Sequence, residues 1–183
     1  MQIITGKYRG RKLLSLDTDK TRPTLARVKE SLFSMIDSYI DQAVVLDLFA
    51  GSGSLGIECI SRNAKKVFFC DNNPEAKKVL SKNLERVTEP YEVIIGDFKE
   101  ALNTFKRKLL KFDLVLLDPP YKSDFGDQAM DFLVKNNMLS KGAIVVYEQE
   151  SKNLLQKDKE WFIIKKSKNY GLANLTIYEY IGE

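Results

Sequence analysis

From residue 43 onward, apolar runs of strand length alternate with stretches in which apolar side chains return every three or four positions. VVLDLF (44–49), KVFFCD (66–71), YEVIIGD (91–97), FDLVLLD (112–118) and GAIVVYE (142–148) read as strands, and the intervals near 54–62, 74–87, 98–109 and 126–136 read as helices. This alternation predicts an α/β fold with a parallel sheet covered on both faces, because each parallel crossover returns the chain through a helix. WFIIKKS (161–167) and LTIYEYI (175–181) follow with only the turn KNYGLAN between them, so one strand of this terminal pair must run against the rest. Upstream, IITGKYRGRKLL reads as a hairpin over residues 2–14 with Lys7, Arg9 and Arg11 at or near its tip, and LDTDKTRPT as a polar loop. Pro23 and Thr24 then open a helix with an apolar stripe of Val28, Leu32, Met35, Ile36 and Tyr39, running to about residue 40. The expected division is an N-terminal basic hairpin and helix over 1–40 and a catalytic α/β domain over 41–183.

The ends of these strands carry the chemistry. In open α/β sheets ligands sit outside the carboxyl ends of the strands, and four of them finish at or beside an aspartate: Asp47, Asp71, Asp97 and Asp118. After the first comes AGSGSLG, in which Gly51, Gly53 and Gly56 fit G-x-G-x-x-G between a strand and a helix, with Asp71 twenty residues beyond Gly51. Small residues let a ligand approach the backbone, and the acid on the next strand can hold a ribose diol; the same glycines would also serve a tight turn with no ligand. A dinucleotide would set its pyrophosphate against Asp47, and two like charges near 4 Å cost about 1 to about 4 kcal/mol. S-adenosyl-L-methionine has the adenosine, lacks the phosphates and brings a cationic sulfonium and ammonium, so it suits a carboxylate-lined edge.

The fourth strand ends in Asp118-Pro119-Pro120-Tyr121, which removes two backbone donors where a loop ordinarily needs them. An exocyclic base amine is a poor nucleophile because its lone pair is delocalised into the ring. Acceptors for its N–H bonds draw the nitrogen toward tetrahedral geometry, and the Asp118 carboxylate and the Pro119 carbonyl are acceptors. Tyr121 offers a face on which an extruded base can stack.

Composition narrows the choice further. The 183 residues contain no histidine, which removes the usual general base and the commonest zinc ligand and leaves no metal site to expect. Cys59 and Cys70 lie inside apolar patterns and read as buried thiols. No run approaches the 18 or so apolar residues of a membrane span and no signal-peptide core opens the chain, so a cytoplasmic protein is expected. Residues 1–30 hold eight basic against three acidic side chains, leaving 21 against 22 elsewhere. The excess positive charge is thus N-terminal, and Lys7, Arg9, Arg11 and Arg22 are candidate contacts for an RNA backbone.

With IITGKYRGRKL, RPTLARVKESLF, DLFAGSGSLGIE, DPPY and the closing YG…TIYEY in view, the chain resembles the RsmD family over nearly its full length. The resemblance implies a Rossmann-like class I methyltransferase with a seven-stranded sheet and an antiparallel C-terminal strand. It also implies methylation of a guanine N2 of 16S ribosomal RNA, at position 966, within an assembling small subunit and by a monomer. It places the cofactor on Asp47, Phe49, Ala50, Gly51, Ser52 and Gly53, the ribose on Asp71 and Asn72, the adenine on Asp97 and Phe98, and the guanine at Asp118 to Tyr121. Competing readings keep the fold but change the acceptor to a DNA base or a protein glutamine, retain RNA binding without catalysis, or make the chain a nicotinamide-dependent oxidoreductase.

Overall fold

The computed structural model describes residues 1–16, 23–120, 123–150, 160–171 and 173–182. Seven strands form one sheet in the order β3-β2-β1-β4-β5-β7-β6. They are β1 (Val44–Asp47), β2 (Lys66–Asp71), β3 (Tyr91–Ile95), β4 (Phe112–Leu117), β5 (Leu139–Glu150), β6 (Phe162–Tyr170) and β7 (Ala173–Tyr180). The first five pair in parallel, and β7 slots antiparallel between β5 and β6. That is the strand running against the rest. Among the described residues no helix is long and apolar enough to cross a membrane.

Among the described residues five α-helices cover the two faces: α1 (Pro23–Ile36), α2 (Ser54–Ser61), α3 (Pro74–Leu84), α4 (Phe98–Arg107) and α5 (Phe125–Lys135). Leu32 and Phe33 of α1, Ile57 of α2 and Leu80 of α3 share one buried cluster with Val45, Leu114 and Val146 of the strands. Leu102 and Phe105 of α4 and Met130 and Leu133 of α5 pack with Leu46, Val115 and Val145 on the other face. Alternate residues of each central strand thus feed opposite cores, which is why these strands read as continuous apolar runs.

Two expected elements differ. The stretch KNYGLAN is largely strand, since Lys168, Asn169 and Tyr170 pair with Leu175, Asn174 and Ala173, so β6 and β7 extend nearly to Gly171. The hairpin over 2–14 keeps a single bridge, between Gln2 and Lys12. Backbone bonds still close it, from the Ile3 N–H to Arg11 O at 2.9 Å, the Gly10 N–H to Ile3 O at 2.8 Å and the Leu13 N–H to Met1 O at 2.8 Å, while nearer the tip the Lys7 N–H donates to the Ser61 carbonyl at 2.8 Å and the Tyr8 N–H to Ser61 Oγ at 2.9 Å. The Ile4 and Thr5 N–H groups donate to the Glu58 carboxylate at 2.9 and 3.1 Å. Ile3 and Leu13 are buried in the core beneath.

Candidate active site at the carboxyl edge of the sheet

β1 delivers the chain to the point where strand order reverses, between β2 and β4. The loop beyond it is fastened to both neighbours, with the Leu48 N–H donating to Leu116 O at 3.2 Å and the Ala50 N–H to Cys70 O at 2.9 Å. Gly53 closes the turn by donating to Ala50 O at 2.7 Å. It has φ of 77°, and a Cβ there would lie 2.3 Å from Leu80 Cδ1. Packing against α3 therefore demands this glycine whether or not a ligand approaches.

Asp47 is 2% exposed, and its Oδ2 accepts the Gly56 N–H at 2.9 Å. Burial pushes its carboxyl up to about 7; the hydrogen bond from Gly56 opposes that rise and the charge of Asp71 adds to it. Asp47 therefore holds its proton to a much higher pH than an exposed carboxyl does. The charge repulsion expected of Asp47 toward a pyrophosphate is weaker than the sequence implied, because the strand carries this residue below the surface to hold α2.

This burial has a measurable consequence. The folded-state carboxyl keeps its proton up to about pH 7 while the unfolded one ionises near 3.8. Between those values the folded state holds the extra proton, so stability from this group falls with rising pH by about 1.4 kcal/mol per unit. The contribution is complete below the unfolded value and gone above the folded one. Asp47→Asn keeps an acceptor for Gly56 and cannot ionise. Its stability relative to wild type is expected to climb from about pH 4 to about pH 7 and then level, in denaturant titrations at each pH; parallel wild-type and variant profiles would refute this.

A cavity of about 700 Å³ opens above the loop. Asp47, Phe49, Ala50, Gly51 and Ser52 line it from one side, with Asp71 and Asn72 beside them. Asp118, Pro119 and Pro120 line it from the end of β4. The glycine loop and the diproline corner thus face a single space. Asp71 Oδ2 accepts the Gly51 N–H at 2.7 Å and Oδ1 the Asn73 N–H at 2.8 Å. A carboxylate has about four acceptor sites, so capacity for a diol remains. At the diproline corner the Pro120 carbonyl accepts from both the Ser123 N–H (3.2 Å) and its Oγ–H (2.7 Å).

Gly53, Asp97 and Phe98 do not line this space. Asp97 caps α4, accepting the Lys99 N–H at 2.8 Å. Phe98 is buried, with its ring centroid 5.6 Å from that of Phe49 and 5.1 Å from that of Phe125. Tyr121 and Arg22 lie outside the described residues.

The family model described as Conserved hypothetical protein 95 matches residues 1–179. Ribosomal RNA small subunit methyltransferase D of Haemophilus influenzae is 39% identical over 98% of this chain and 93% of its own length. The chain belongs to the RsmD family. The solved structure of HI0767 from Haemophilus influenzae is 36% identical and superposes with a TM-score of 0.80 over 99% of this chain and 98% of that one. SMU.776, solved in complex with SAH, shares the fold at 13% identity, with a TM-score of 0.68 over 87% of this chain and 50% of that chain. By family and by fold this RsmD-family chain is a methyltransferase.

Two charged cavity residues of this RsmD-family site escaped the sequence reading. Glu148 belongs to β5, and the strand-end reasoning that singled out the aspartates applies to it equally. Lys29 lines the cavity from α1 and is only 4% exposed, its Nζ lying 3.0 Å from Glu58 Oε2. Nothing in the helical periodicity marks a lysine beside Val28 as buried.

The N-terminal cations are placed less simply. Lys7 pairs with Glu89, whose carboxylate also accepts the Tyr8 hydroxyl at 2.6 Å. Burial pushes the Glu89 carboxyl up, but the hydrogen bonds from Lys7 and Tyr8 outweigh it and hold it down at about 2. Arg11 Nη2 donates to Asn83 O at 2.6 Å, whereas Arg9 is exposed. Lys7 and Tyr8 rest on Ser61, the last residue of α2, while Ser54 at its first residue lines the cavity. Seven helical steps, about 10.5 Å, separate them. Nearer the cavity, β6 supplies exposed Lys166 and Lys168, and Lys168 pairs in register with Leu175, a cavity residue.

Proposed function

We propose that this chain transfers the methyl group of S-adenosyl-L-methionine to the exocyclic N2 of guanine 966 of 16S ribosomal RNA. The observation that carries the reading is the single cavity shared by the glycine loop, Asp71 and the Asp118-Pro119-Pro120 corner. In this reading the loop from Phe49 to Ser52 and Asn72 approach the cofactor backbone to backbone, and Asp71 takes the ribose hydroxyls. The amine lone pair attacks the methyl carbon while the carbon–sulfur bond breaks and its electrons stay on sulfur. The new bond leaves a cationic nitrogen, which loses one proton to water. Asp118 accepts one N–H of the attacking amine and offsets the charge that develops there. Both acceptor sites of the Pro120 carbonyl are occupied by Ser123, so the second amine hydrogen falls to the carbonyl of Pro119. Tyr121 stacks on the extruded base.

The relative named for small-subunit RNA supports the acceptor, and an assembling subunit in the cytoplasm is its setting, with the enzyme acting as a monomer. Segment 1–40 serves as an RNA-binding extension, with Lys7, Arg9 and Arg11 meeting backbone away from the target nucleotide and Arg22 as a further RNA contact. Close to it, Lys166 and Lys168 meet flanking phosphates. Replacing both lysines with glutamine is expected to raise the KM for RNA roughly tenfold and lower the slope of log affinity against log salt by about two, with cofactor affinity unchanged. A KM within twofold of wild type would remove this strand from the RNA path.

The function itself is tested by transfer of a labelled methyl to small subunits from a strain lacking the modification. Label is expected on the N2 of one guanine, with none passed to DNA or protein. Label on another atom or polymer would overturn the reading.

A further inference from the structure

β4 and β5 run parallel in a register that pairs Leu116 with Val146 and Leu117 with Tyr147. The next residue on each is a carboxylic acid, Asp118 and Glu148, and both line the cavity. Neighbouring strands lie about 4.8 Å apart, so the two acids stand side by side at the carboxyl edge. Leu116 and Val146, two positions earlier, share the cluster on the α1 face. With a side-chain period of two, Glu148 rises from that same face, and Asp118, the first residue beyond β4, lines the same cavity.

We propose that Glu148 selects guanine by accepting its N1–H while Asp118 accepts from N2, a role that rests on the reading of guanine N2 as the methyl acceptor. Guanine carries two adjacent donors on its Watson–Crick edge, the ring N1–H and the amine. Adenine and cytosine place an unprotonated ring nitrogen beside their amine, and that lone pair would face the Glu148 carboxylate. A lone acceptor at Asp118 could not separate these bases, since each offers it an amine hydrogen. Two acceptors in a row can, because buried polar groups left without their complement penalise the wrong ligand far more than a missing methylene does.

The test uses small subunits reconstituted with RNA carrying 2-aminopurine in place of the target guanine. That base keeps the N2 amine and presents a bare N1. The wild-type protein is expected to prefer guanine by about a hundredfold or more in kcat/KM. Glu148→Gln, whose amide can turn its NH₂ toward N1, is expected to narrow the preference to within about tenfold, with the affinity for S-adenosylmethionine held within twofold as evidence of a folded site. An unchanged preference in the variant, or equal methylation of both bases by wild type, would overturn the assignment. So would a tenfold loss of cofactor affinity with the preference intact, which would give the carboxylate to the cofactor's ammonium. If wild type transfers no methyl to the guanine-bearing subunit, the proposed function fails and this role falls with it; guanine methylation without discrimination defeats this role alone.

Discussion

Replacing Asp118 with alanine is expected to lower kcat by on the order of 10²–10³-fold while the affinity for S-adenosylmethionine stays within about twofold. The division follows from where the residue stands. The loop and Asp71 form the opposite wall of the cavity, and their hydrogen bonds run to one another and to β4 and β2 through Leu116 and Cys70, so they keep their shape without the Asp118 side chain. Asp118 itself is exposed beside buried Pro119. In the proposed reaction its carboxylate takes an amine hydrogen, and that interaction strengthens as the nitrogen loses planarity. A contact of that kind appears in kcat more than in the binding of either substrate. Asp118→Asn would keep one carbonyl acceptor but not the charge, and that variant should therefore fall between wild type and alanine. Single-turnover methyl transfer at saturating RNA and cofactor is the measurement, and an alanine variant that turns over at the wild-type rate would remove Asp118 from the reaction.

The features that were legible in the sequence are those written in short-range pattern. Strand-length apolar runs, the glycines after Asp47 and the prolines after Asp118 each announce themselves within a few residues, and together they located the sheet, its order of elements and the edge where the cavity opens. What stayed hidden depends on partners distant in the chain. Asn174 looks like a turn residue, yet it is buried in β7 with its Nδ2 donating to Thr176 Oγ1 at 3.0 Å, because β6 pairs beside it. Asp97 reads as a strand end but caps a helix two residues beyond Ile95. The tip of the basic hairpin could not be aimed from its own residues, since Ser61 and Glu58, more than fifty positions away, decide where its backbone donors go. The depth of Asp47, and with it the upward push on its carboxyl, is likewise a property of what α2 covers.

The same long-range capture predicts the largest stability effect. Glu58 is fully buried and receives the N–H groups of Ile4 and Thr5, Arg62 Nε at 3.0 Å and Lys29 Nζ at 3.0 Å. Lys29 is nearly as buried and also donates to the Gln2 carbonyl at 3.2 Å, so three separate segments meet on one carboxylate. Glu58→Ala would strand the lysine without its counter-charge and two backbone donors without an acceptor. Removing one partner of a buried pair costs about 3–5 kcal/mol, and in a chain of this size each kcal/mol moves Tm by about 2–4 °C. The variant should therefore melt roughly 6–20 °C below wild type. Because Met1 and Lys29 also line the cavity, loosening the N-terminal segment should weaken cofactor binding as well. The double variant Lys29→Met/Glu58→Leu separates charge from packing: with neither member of this pair ionised its desolvation penalty disappears, and Tm should recover part of the loss, short of what is due to the Ile4, Thr5 and Arg62 donors and the Gln2 carbonyl left without partners. Thermal melts of the two single variants and the double variant measure the coupling directly. A Glu58→Ala protein melting within about 2 °C of wild type would show that the carboxylate is not what holds the N-terminal segment to the sheet.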